Sequence, residues 1–135
     1  MSVLTIQPSI SRTVRAAYFV VQALATLAWW LAVCVSPEWR AWFAFGEDFR
    51  SLWSFLPGDL VFWFVGSLAV GHGEWHGNGW TSPLRWVLCG ALASSVLHAA
   101  ALAALSGAGW PGVLLMVPAL GITIWLTWSA TCSRC

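Results

Sequence analysis

The sequence predicts an all-α membrane protein: a four-transmembrane-helix bundle with an amphipathic interfacial helix between helices 1 and 2. Three observations carry that prediction. The 135 residues are 59% hydrophobic and only 8% charged. A soluble domain carries about 25% charged residues, so this chain has too few charges to cover a water-exposed surface. Four apolar stretches approach the ~20 residues that a helix needs to cross hydrocarbon. The clearest, Trp86 to Leu105, is uncharged throughout. The chain also holds 12 Trp, a residue that favours the membrane–water interface because its ring is half apolar and its N–H stays wet.

Four such spans use most of the length, so residues 1–135 form a single integral membrane domain without internal repeats. Net charge is +1, which suggests neither nucleic-acid binding nor a polybasic lipid patch. The lipid bilayer is the expected partner, with other membrane subunits or the chain itself as further partners. All the cations are Arg. The absence of Lys beside abundant Ala, Arg and Trp is typical of high-GC bacterial genomes and points to a bacterial inner membrane.

Residues 1–15 read as a polar lead, and span one covers 16–35. Residues 37–55 alternate charges with large aromatics. On a helix, positions 39, 42, 49, 52, 53 and 56 fall on one side, with Arg40, Glu47, Arg50, Ser51 and Ser54 on the other. That pattern suggests a helix lying in the interface plane, either anchoring two spans or covering a cavity. Pro57-Gly58-Asp59 opens span two, 57–75, with Asp59 as a natural N-cap. Gly77-Asn78-Gly79 ends it. Thr81-Ser82-Pro83 is a helix-start signal, so span three covers 84–105. Ser106-Gly107-Ala108-Gly109 is a tight turn, and Pro111 opens span four, 112–130, which Pro118 should kink. Both termini and the second loop share one side with Arg12, Arg15, Arg85 and Arg134, against Arg40 and Arg50 opposite. The positive-inside bias then places both termini in the cytoplasm.

His98 is the first candidate for chemistry. An intramembrane ionisable residue is costly and marks function by default. Gly90, Ser94, His98 and Ala101 share one helix face, and small faces let helices approach closely in lipid, so His98 is expected to point into the bundle. Its alternative role is a satisfied hydrogen-bonder, with Ser94, Ser95 or the Leu114 carbonyl as partner. A ligand site near His98 would draw on Ser94, Gln22, Thr123 and Trp53.

His72 and His76 lie at i, i+4, a geometry that binds a transition metal, yet a third protein ligand is missing. The alternative is a polar span end at the interface. Cys132-Ser133-Arg134-Cys135 is a C-x-x-C, a redox or metal spacing. It is similar, in spacing alone, to the thiol pair of quinone-linked membrane oxidoreductases of the vitamin K epoxide reductase type. Free or acylated cysteines are its ordinary reading.

No Ser-His-Asp set, phosphate loop or cofactor motif occurs, so the sequence leans against catalysis without deciding it, and no cofactor is named. Three functional readings follow. The first is an accessory or structural subunit of a larger assembly. The second is a binder of a lipid or other apolar ligand, with segment 39–55 over an intramembrane pocket and His98 as its polar contact. The third is a redox or metal enzyme using Cys132 and Cys135, or His72 and His76.

Overall fold

The computed structural model describes residues 10–46 and 49–132, and every regular element among them is helical. Helix α1 is Arg12–Val35. Its Ser11 N-cap accepts the Val14 N–H on Oγ. Ser36 ends α1 in an extended conformation and at once caps α2, Pro37–Phe43, by accepting the Trp39 N–H. One serine thus turns the chain, and Pro37 behind it starts the new helix with its φ already fixed.

The segment 37–55 is not one amphipathic helix. After α2 the backbone turns extended at Ala44, Gly46 takes φ +90°, and a four-residue α3 forms at Arg50–Trp53. A left-handed glycine breaks the helical period, so the face expected across 39–56 is never assembled. Trp39, Trp42, Phe49 and Trp53 are exposed, whereas Phe43, Ala44 and Leu52 pack inward.

From Arg50 to His76 the chain is helical enough to form one candidate span, earlier to start than the expected 57–75. It comprises α3, a short α4 at Leu56–Gly58, a π-helical segment at Asp59–Gly66, and α5 at Ser67–His76. Asp59 is therefore no N-cap. It lies inside the run, 6% exposed. Pro57 brings no N–H to this ladder; Asp59 N–H still bonds to the Phe55 carbonyl four back, and Asp59–Gly66 then widen into π-helical geometry. Asp59, Trp63, Ser67, Val70 and Glu74 along this run all face the bundle. Gly77, at φ 70°, closes α5.

Helix α6 spans Thr81–Ser106 and α7 spans Trp110–Cys132, joined through Gly107 at φ 71°. Four helices among the described residues are thus long and apolar enough to cross a membrane. Helix α1 packs antiparallel on α5, and α6 on α7. Gly71 allows the first contact: a Cβ there would stand 3.2 Å from the Ala16 carbonyl of α1. One end of the bundle holds the starts of α1 and α6 and the end of α7; it is called the terminal end below. The α1–α2 and α6–α7 turns lie at the opposite, loop end.

The small-residue face of α6 points the other way from expectation. Gly90, Ser94, His98 and Ala101 are exposed, and a Cβ on Gly90 would meet nothing within 4 Å. The interior is taken by Leu88, Leu92 and Val96, packed with Phe19, Trp63 and Val70. Large side chains bury more apolar area than a glycine–serine face, and they turn α6 accordingly.

A polar ladder and a cavity at the loop end

Three hydrogen-bonded pairs join α1 to the second span. At the terminal end, Arg15 Nε donates to Glu74 Oε2 at 2.8 Å, and Arg85 Nη1 of α6 donates to Glu74 Oε1. All three residues are buried. Midway, Gln22 Nε2 donates to Ser67 Oγ at 3.0 Å, while Gln22 Oε1 accepts from Thr123 Oγ1 of α7 at 3.0 Å. Tyr18 joins this centre through Thr123 at 3.1 Å and donates to the Ala119 carbonyl at 2.8 Å. At the loop end, Trp30 Nε1 donates to Asp59 Oδ2 at 3.0 Å.

The loop end also contains a cavity of about 400 Å³, within the usual range of small-molecule sites. Helix α1 and the π-helical segment form two walls, α7 forms a third, and Phe43, Phe45, Leu52 and Phe55 roof it. Val21 and Ala25 of α1 and Leu115 and Ile122 of α7 are both lining and exposed, so the mouth opens sideways between these helices. The wall is overwhelmingly apolar. Thr26 is satisfied by the Gln22 carbonyl. Asp59 and Trp63 are the exceptions: both line the cavity, and Asp59 Oδ1 and Trp63 Nε1 are buried without a hydrogen-bond partner. Residues four apart in a helical run share a face, so an orphan acceptor and an orphan donor stand about one turn apart. Buried polar atoms are satisfied in the great majority of cases. An unsatisfied pair in a cavity wall is the arrangement a polar ligand head completes.

Of the sequence candidates, Gln22 and Thr123 meet in the central network, and Gln22 reaches the cavity wall. Trp53 does not line the cavity. Its ring stacks on Trp30, 6.0 Å away, from the outside. His98 and Ser94 are exposed on α6 and do not line it either. The His98 ring lies 5.1 Å from that of Phe55, and among the described residues His98 has no hydrogen-bond partner in Ser94, Ser95 or Leu114. The carboxylate of this region is Asp59, a wall residue and not the helix cap that Pro57-Gly58-Asp59 suggests.

His72 and His76 are exposed, with ring centroids 4.2 Å apart and His76 Nδ1 donating to the His72 carbonyl at 2.9 Å. Glu74 between them is engaged by Arg15 and Arg85, and no third ligand joins them among the described residues. Cys132 is exposed at the end of α7, and Cys89 is buried, with Sγ 3.4 Å from Thr127 Oγ1. Cys135 lies outside the described residues, so the C-x-x-C is described only in part.

Compared with known proteins, the chain matches no protein-family model, no curated protein and no solved structure.

Proposed function

We propose that this chain is an integral membrane protein that holds a small, largely apolar molecule in the loop-end cavity. Support for the membrane setting comes from the exposed tryptophans. Trp39, Trp42, Trp53 and Trp110 cluster at the loop end, and Trp75, Trp80, Trp86 and Trp128 at the terminal end. Between Trp110 and Trp128 the α7 helix rises roughly 27 Å at 1.5 Å per residue, close to a hydrocarbon thickness of ~30 Å. Exposed Val, Leu and Ile fill the band between them. Two aromatic belts of this spacing are what a bilayer selects. The Arg bias favours cytoplasmic termini, and the composition favours a bacterial inner membrane.

The ligand-binding reading rests on one observation: an apolar cavity of about 400 Å³ whose wall contains the buried, unsatisfied Asp59 Oδ1 and Trp63 Nε1. Its sideways mouth admits a molecule already dissolved in lipid. Native mass spectrometry of protein extracted in mild detergent tests this. Wild type should retain a bound small molecule, and Ala25→Phe, which fills the mouth from α1, should lose it. No retained molecule in wild type, with Ala25→Phe indistinguishable from it, would sink the reading.

A second reading, as a subunit that packs against another membrane subunit or a second copy of itself, is favoured by the exposed Gly90–Ser94–His98 face of α6. Polar groups facing lipid are costly, and a partner helix would cover them. Co-purification of two differently tagged copies, lost in Gly90→Leu, would support self-association. A monomer without any co-purifying chain would count against both forms.

A further inference from the structure

Resting on the ligand-binding reading above, we infer that the cavity takes a lipophilic organic cation, an amine or quaternary ammonium with an apolar tail. Two independent features of the wall select that class.

The first is charge. Asp59 is 6% exposed, and one of its oxygens is held by Trp30 while the other is unpartnered. Among the described residues its carboxylate has no ion-pair partner. The buried arginines, Arg15 and Arg85, are both engaged by Glu74 at the far end. Arg40, at the loop end, gives its guanidinium to the Val33 and Cys34 carbonyls. Burying a lone carboxylate is costly unless it is paired. A cationic head supplies the charge partner that Asp59 lacks, whereas a fatty chain or an anion does not; the Trp63 N–H is left for an acceptor elsewhere in the ligand.

The second is the aromatic surround. Tyr18, Trp29, Phe43, Phe45, Phe55 and Trp63 all contribute to the same wall as Asp59. Aromatic faces attract organic cations through the ring quadrupole, most strongly where water is excluded. A purely apolar guest would be served equally well by Leu and Val. Rings and one carboxylate in the same wall complement a cation that carries an apolar tail.

The test uses purified protein in lipid nanodiscs and three octyl compounds: octyltrimethylammonium, its neutral hydrocarbon analogue with carbon in place of nitrogen, and octyl sulfate. Binding is read by native mass spectrometry of the nanodiscs, with protein-free nanodiscs as the control for partitioning into lipid. The ammonium should bind saturably and at least about tenfold more tightly than the other two. Asp59→Asn should abolish that preference and Asp59→Glu should retain it. If Asp59→Asn does not fold, the wild-type preference and the Asp59→Glu result decide. Equal binding of the ammonium and its neutral analogue, or ammonium binding unchanged in Asp59→Asn, overturns the cation assignment while the cavity reading stands. Absence of saturable binding by all three overturns both.

Discussion

Gln22 Nε2 donates to Ser67 Oγ at 3.0 Å, at the centre of a ladder that ties α1 to the second span. Arg15, Gln22 and Trp30 are separated by seven and eight residues, and their partners Glu74, Ser67 and Asp59 by the same seven and eight in reverse. Seven residues make about two helical turns, so all three members stay on one face. Antiparallel pairing brings each to its partner. The ladder fixes the register of the two helices, and an apolar seam alone would tolerate sliding.

The central rung should carry a modest and measurable share of stability. Ser67→Ala removes the Gln22 acceptor and is expected to cost about 0.5–1.5 kcal/mol. Gln22→Leu should cost more, because it strips Ser67 and Thr123 of a shared partner. Unfolding in detergent, run as a double-mutant cycle, should give a non-zero coupling between the two positions. Strict additivity would mean that the rung does not set the register.

Much of the fold was legible in the sequence, and the reasons divide by residue type. Apolar length identifies four helices; Gly77 and Gly107 mark helix ends, and Thr81-Ser82-Pro83 marks a start. The polar ladder is not evident from the sequence, although its matched spacing is present, because Asp59 behind Pro57-Gly58 and Glu74 between His72 and His76 each fit the polar end of a span. Direction on α6 was misread because small residues signal close approach without saying which side is crowded. Leu88, Leu92 and Val96, on the opposite face, decide it by volume. Segment 37–55 carries a signal for the roof of a cavity, but its walls and size have none. The roof closes where Gly46 breaks α2 from α3 and the Phe45 and Phe55 rings meet at 5.6 Å.

Glu74→Gln should be the most destabilising single change at the terminal end. Glu74 is 3% exposed and holds both Arg15 and Arg85, the latter fully buried. Removing one member of a buried ion pair costs about 3–5 kcal/mol, since the remaining charge stays in a poor solvent. Glu74→Asp should retain part of the interaction and lie between the two. A melting temperature for Glu74→Gln equal to wild type would show that the arginines find other partners without loss.

Gly73→Ala should destabilise through crowding. A Cβ there would collide with Thr81 Cγ2 and stand 2.8 Å from the Trp80 ring, so the turn between α5 and α6 has to move. Overpacking of this kind costs about 1–3 kcal/mol. Gly90→Ala meets nothing within 4 Å and removes a flexible residue from a helix, so it should be neutral or slightly stabilising. Measured in one thermal series, a loss at Gly73 of α5 and none at Gly90 checks that the α5–α6 turn is packed while the Gly90 side of α6 is open.

His98→Phe separates the two roles that its position in an apolar helix allows. The His98 ring is exposed on α6 and packs beside Phe55, whose other neighbour is Phe45 at 5.6 Å in the cavity roof. Phenylalanine preserves that ring contact and removes the polar nitrogens. If the exposed face of α6 lies against lipid, the variant should fold at least as well as wild type, because a polar ring in hydrocarbon is costly. Ligand retention should be unchanged, since Asp59 and Trp63, not His98, line the cavity. Self-association, if the second reading holds, should instead weaken. Loss of the ligand in a well-folded His98→Phe variant would place the imidazole in the binding site and reverse the assignment of Asp59 as its polar contact.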